Sequence, residues 1–189
     1  MSATSDYHDA LQAFEQLRAE NKLTIRVYEQ AQLPTLKALK EFINLGYCTG
    51  SGDEFFKIGP LKMLGDGSLG ARTAFLSKPY YDAPKTRGIP VFSREEIKMM
   101  FDYANRHEMQ IAIHAIGDGI LDWIFEGYEN ALKNYSREDP RHGIVHCQIT
   151  REDQLLKYQQ LHLHAYIQSV FLDYDNHIIC LLYTSDAAD

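Results

Sequence analysis

A chain of 189 residues, 45% apolar and 24% charged, has the make-up of one globular domain but falls short of the ~250 residues of a complete β/α barrel. A formal net charge of −7 without any block of Lys or Arg argues against nucleic acid or an anionic membrane surface as the main partner, and no apolar run approaches the ~20 residues that cross a bilayer. Three scattered cysteines, Cys48, Cys147 and Cys180, argue against a disulfide framework or a cysteine zinc site, and the polar start from Met1 to Asp9 carries no secretory signal, so a cytoplasmic location is expected.

Asp6 to Asn21 predicts an amphipathic helix, with Leu11, Phe14 and Leu17 on one stripe. Leu23-Thr-Ile-Arg-Val-Tyr28 is rich in β-branched residues and predicts a strand. Pro34 to Leu45 predicts a helix, opened by proline and stopped by Gly46. Phe55 to Leu64 predicts a strand interrupted at Gly59-Pro60. Gly65 to Val91, with Pro79, Pro84 and Pro90, predicts an extended loop. Ser93-Arg-Glu-Glu96 is a capping box that opens a helix to about His107. Gln110 to His114 predicts a short buried strand, Gly117 to Asn134 a helix, and Gly143 to Cys147 the next strand. Thr150-Arg-Glu-Asp153 is again a capping-box pattern, opening a helix to about Gln160, and His164 to Gln168 predicts the last strand. Five apolar strands alternating with helices give the rhythm of a parallel α/β sheet. The pattern fits both a small open sheet and a barrel cut at both ends. The segment Cys180 to Asp189 resembles the translation of a transposon-end sequencing adapter. It reads as a non-native tail, set apart from a domain over 1–179.

In folds of this kind ligands gather at the carboxyl ends of strands. His114 and His146 end consecutive strands, 32 residues apart, so they are expected as neighbours on one rim. Imidazole is a good ligand for zinc and similar ions; the plainer reading makes each a hydrogen-bonded core histidine. Lys62 lies near the end of an earlier strand. As ammonium it cannot bind a metal, but as a neutral amine it can take up carbon dioxide and become an anionic oxygen ligand. Its plainer role is an ion pair with Asp66. Gly65-Asp-Gly-Ser-Leu-Gly70 lacks the lysine of a phosphate loop; Asp66 and Arg72 are candidates for lining a pocket, or for pairing with each other. Gln168, ending the last strand, is a further pocket candidate. Asp118 either caps its helix or orients a metal-bound histidine from behind. His162 and His164 fall at the start of a strand and are read as non-functional, and Cys147 is expected to face away from His146.

These residues form known motifs. Leu61-Lys-Met-Leu-Gly-Asp-Gly-Ser-Leu-Gly-Ala-Arg-Thr-Ala74 resembles the Lys-x-x-x-Asp-Gly-Ser-Leu-Gly-Ser-Arg-Thr-Ala segment of the YtcJ-like branch of the amidohydrolase superfamily. His114-Ala-Ile-Gly-Asp118 resembles its fifth-strand motif, Arg141-His-Gly-Ile-Val-His-Cys-Gln148 its sixth-strand segment, and Tyr166-Ile-Gln-Ser169 its seventh. Leu23 to Gln30 fits its third strand. Val145 stands where the branch usually has Glu, and Ser169 where it has Pro, which bears on substrate detail.

The resemblance implies a partial TIM-type (β/α) barrel, about strands 3 to 7, with His114, His146 and Lys62 as metal ligands, Lys62 in carbamate form. It implies one or two divalent ions, zinc foremost, and hydrolysis of amide or cyclic amide C–N bonds in a small molecule by metal-activated water. It also implies a His-x-His pair upstream of Met1 and a proton-transferring Asp beyond Ile179. The rival expectation is a non-catalytic α/β fragment or binding module. By itself the chain is expected to be inactive and prone to aggregate, since a part-barrel leaves open sheet edges.

Overall fold

A computed structural model describes residues 2–171, with side chains from residue 9 onward. Six strands form one sheet in sequence order: β1 (Ser2–Asp6), β2 (Val27–Gln32), β3 (Phe56–Leu64), β4 (Ile111–Ala115), β5 (Gly143–His146) and β6 (His164–Tyr166). Every neighbouring pair is parallel. One helix stands between each pair: α1 (Tyr7–Ala19), α2 (Leu36–Asn44), α3 (Arg94–Arg106), α4 (Asp118–Asn134) and α5 (Glu152–Gln160). Spatial order equal to chain order, with a helical crossover at each step, is the arrangement of a β/α barrel. The described residues form an arc of one.

Three elements differ from expectation. There are six strands rather than five, because β1 is the polar stretch Ser-Ala-Thr-Ser-Asp, held by parallel pairing to β2 rather than by any apolar run. Next, β2 is displaced from 23–28 to Val27–Gln32. Ile25, one of the three β-branched residues of that stretch, is exposed in the connection, while the polar Glu29 is buried in the strand. Finally, β3 runs unbroken through Gly59-Pro60, and the irregularity falls instead in its register with β2, between Glu29 and Ala31.

Side chains alternate across a strand. Leu61 and Met63 of β3, Ile111 and Ile113 of β4 and Ile144 of β5 point to the helices and form the main core with Phe42 of α2, Phe101 of α3 and Ile124 and Tyr128 of α4. Phe101 and Tyr128 meet with ring centroids 4.4 Å apart. Lys62 and His114 therefore fall on the other, concave face. The 65–91 segment is not the open loop its composition predicts. Leu69, Ala74, Leu76 and Tyr80 fold on Ile116 as a small second core, and Tyr80 donates to the Ala74 carbonyl at 2.8 Å. The adapter-like tail, with Cys180 and the boundary at Ile179, lies outside the described residues.

Candidate metal centre

Lys62 of β3, His114 of β4 and His146 of β5 come together on adjacent strands. The His114 and His146 rings meet edge to face, centroids 4.5 Å apart. Register alone would not bring them there. His146 pairs with Ala115, not with His114, so a regular pleat would turn it toward the helices. His146 instead has φ 78° and Cys147 φ 52°, a left-handed conformation uncommon outside glycine. This turn at the end of β5 swings the imidazole back to His114. Such costly backbone persists only where the surroundings impose it, and it collects at functional sites.

The charges fit this convergence. Burial chiefly, and then the neighbouring His114, lower the His146 pKa, so the ring is held neutral; a hydrogen bond to Gln168 acts in the opposite direction, and Lys62 and Asp66 are near enough to contribute. Lys62 is 7% exposed, and burial lowers its amine to about 8. No hydrogen bond or ion pair holds its ammonium among the described residues, so the expected Lys62–Asp66 pair does not form. His114 Nε2 lies 3.0 Å from the Gly67 carbonyl. A carbonyl can only accept, so Nε2 carries the proton and Nδ1 keeps the lone pair.

The Asp66 carboxylate is already engaged. It accepts from the backbone N–H of Ile116 (3.0 Å), Gly117 (2.8 Å) and Phe75 (2.9 Å), and its Oδ1 lies 3.4 Å from His114 Nε2. Arg72 does not pair with Asp66. It forks onto Asp82 through Nε and Nη2, in a left-handed backbone with φ 55°. Asp118 takes neither of its two expected roles. Gly117 is the N-cap of α4 with no side-chain cap bond. The Asp118 carboxylate binds Ser77 N–H at 2.8 Å, the Ser77 hydroxyl, and Arg151 at 3.1 Å, tying the long loop to the start of α5 rather than touching either histidine. Gln168 is at the rim, against His146.

Over the two rings opens a cleft of about 290 Å³ lined by Ser68, Leu69, Gly70, Ile116, Gln148 and Phe171. Sequence reading passed over Leu69 and Phe171, which bear no reactive group, and over Gly67, whose contribution is a carbonyl that no side-chain pattern reveals. Gln148 carried a signal, as it closes the sixth-strand motif.

A model of the Amidohydrolase family matches residues 2–182. The chain belongs to the amidohydrolase family. It is 31% identical over 150 residues to YtcJ of Bacillus subtilis (strain 168), by name an amidohydrolase, covering 79% of this chain and 26% of that protein. Two crystal structures, each described as an uncharacterized metal-dependent hydrolase, share its fold. The one from Pyrococcus horikoshii OT3 has a TM-score of 0.77 at 32% identity, over 97% of this chain and 37% of that one. The one from Pyrococcus furiosus has 0.79 at 31%, over 95% and 35%. This amidohydrolase-family chain thus spans a quarter to little more than a third of these relatives.

A divalent ion needs lone pairs from several groups. Among the described residues no cluster of three or more His, Cys, Asp or Glu side chains is disposed to hold one. The donor set present still fits part of a site: two imidazoles converge, one with its proton turned away onto a carbonyl in the manner of ligating histidines, beside an amine whose burial favours the neutral form. Zinc and similar ions take imidazole nitrogen readily.

Proposed function

We propose that this chain is part of a metal-dependent hydrolase that cleaves amide or cyclic amide C–N bonds in a small molecule, with zinc, as one or two ions, held by His114, His146 and Lys62. What supports this reading is the left-handed turn at His146, which brings its ring within 4.5 Å of His114 on the face that Lys62 shares. When bound, a divalent cation supplies a water of lowered pKa and a polarised carbonyl. The residues themselves prepare the ground. His114 offers Nδ1 because its one N–H, at Nε2, donates to the Gly67 carbonyl. His146 stays neutral through burial. Lys62, at about 8, is in part a free amine near neutral pH; its addition to carbon dioxide forms one N–C bond, releases one proton, and leaves an anionic carbamate oxygen as donor.

The cleft admits a small organic molecule rather than a macromolecule, with Gln168 at its rim; nucleic acid and membrane surfaces are not expected partners. No helix among the described residues is long and apolar enough to cross a membrane. The free Cys48 and Cys147 suit a reducing cytoplasm.

Two histidines and a lysine do not complete a centre, and the Asp66 carboxylate is already occupied by three backbone N–H groups. The 189-residue chain alone is therefore expected to hydrolyse nothing. The test is to express the gene extended at both ends and assay the metal-loaded protein on a panel of amides and cyclic amides. The expected outcome is amidase activity that falls at least a hundredfold in His114→Ala and His146→Ala. Activity unchanged in both variants rules the reading out.

A further inference from the structure

By sequence Asp66 is a pocket-lining candidate, yet its carboxylate is wholly buried, accepts from three backbone N–H groups and has Oδ1 3.4 Å from His114 Nε2. We propose that Asp66 is a positioning residue for His114: it clamps the Gly65–Gly67 segment to the end of β4 so that the Gly67 carbonyl fixes the His114 tautomer and presents Nδ1 to the ion. The inference rests on the reading of His114 as a ligand given above.

Residues 65–67 grip His114 from both sides. The Gly65 N–H donates to the His114 carbonyl at 2.8 Å. The Gly67 carbonyl receives Nε2–H at 3.0 Å. Between them, Asp66 Oδ1 takes the Ile116 N–H, two residues past His114, while Oδ2 takes the N–H groups of Gly117 and Phe75. Both oxygens accept, and both are needed. An amide at this position would turn an NH₂ group onto a backbone N–H, donor against donor, and a buried donor so stranded forces a shift. Gly67 is the next residue along the chain, so a shift of Asp66 moves the carbonyl that, among the described residues, lies 3.0 Å from Nε2. His114 would then populate the Nδ1–H tautomer, whose lone pair is on Nε2. Phe75, the third donor, belongs to the folded 65–91 segment, so the clamp also ties the roof of the cleft, Ser68 to Gly70, to the ring beneath.

A purely structural carboxylate would affect folding alone, so the test reads the ligand itself. In the extended protein stripped of metal, zinc affinity is measured by competition with a chromophoric chelator for wild type, Asp66→Asn and His114→Ala. The expected result for Asp66→Asn is a loss of 10- to 100-fold, the size usual for partners that orient a ligating histidine, in protein that still unfolds cooperatively. Unchanged zinc affinity in folded Asp66→Asn overturns the proposal. If Asp66→Asn does not fold, ¹⁵N resonances of the metal-free wild type, with His114 assigned from His114→Gln, decide: Nε2–H supports the clamp, Nδ1–H overturns it. If instead wild type and His114→Ala bind zinc equally, the ligand reading fails, while the tautomer measurement still judges the contact.

Discussion

His142 is fully buried where β5 begins, and both its ring nitrogens are engaged. Nδ1 accepts from Ile111 N–H at 3.1 Å, and Nε2–H donates to Asn105 Oδ1 at 3.1 Å. The Asn105 amide passes the chain on to the carbonyls of Ala131 and Tyr135. Burial first, and the Arg137 charge second, hold the ring at about 3. The folded pKa lies below the unfolded one of about 6.5, so between these values the unfolded chain takes up a proton that the folded chain refuses. The stability tied to His142 is therefore complete above about pH 6.5 and drains away toward pH 3, by up to about 4 kcal/mol. Urea titrations at pH 7, 5 and 4 check this: the gap between the wild-type chain and His142→Gln should narrow as pH falls, and a constant gap is inconsistent with it. Asn105→Ala strands the imidazole N–H and two carbonyls and should cost about 3 kcal/mol at pH 7. At this scale the sequence shows reactive groups but not their partners. Lys62, His114 and His146 stand out as strand-end residues. The three donors that occupy Asp66 lie 9, 50 and 51 residues away, and the Arg72–Asp82 fork replaces the pairing that proximity favoured.

Helices announce themselves at their starts. Ser93 caps α3 with a complete box, its side chain accepting from Glu96 N–H while Glu96 accepts from Ser93 N–H at 2.8 Å. Ser93→Ala should lower stability by about 1 kcal/mol, read from the urea midpoint. The second box slips by one residue. Gln154 Oε1 accepts from Arg151 N–H at 3.1 Å, because Arg151 is drawn to Asp118 and Asp122 across the interface with α4. Strands are less legible because the sheet itself supplies what their residues lack. In β2 a buried Glu29 interrupts the apolar run, and β1 has no apolar run at all. The 65–91 segment looked open because its core is four side chains and a glycine contact. A Cβ on Gly117 would come 2.1 Å from the Phe75 carbonyl oxygen. Gly117→Ala should therefore destabilise by about 2 kcal/mol or more and loosen the roof of the cleft; a variant with unchanged melting temperature would show that the backbone yields freely there.

An arc of parallel strands exposes backbone at its edges. Here the β6 end also exposes Ile167 (71%) and Val170 (65%), while Leu155 and Leu156 of the neighbouring α5 are more than half exposed. The 189-residue chain should self-associate as its concentration rises, visible by light scattering; a monomer at every concentration would contradict this. The order of the motifs made the barrel class legible, since each falls at the carboxyl end of its own strand. The turn that unites the two histidines was not legible. It is a backbone property of His146 and Cys147, neither of which favours positive φ in isolation.

Whether His114, His146 and Lys62 share one cation is read from anomalous scattering at the zinc edge, in crystals of the extended protein grown with zinc. A shared ion should give a peak about 2.1 Å from a nitrogen of each imidazole, with density continuing from Lys62 Nζ toward it. A peak bound elsewhere, or none between the two rings, would contradict it.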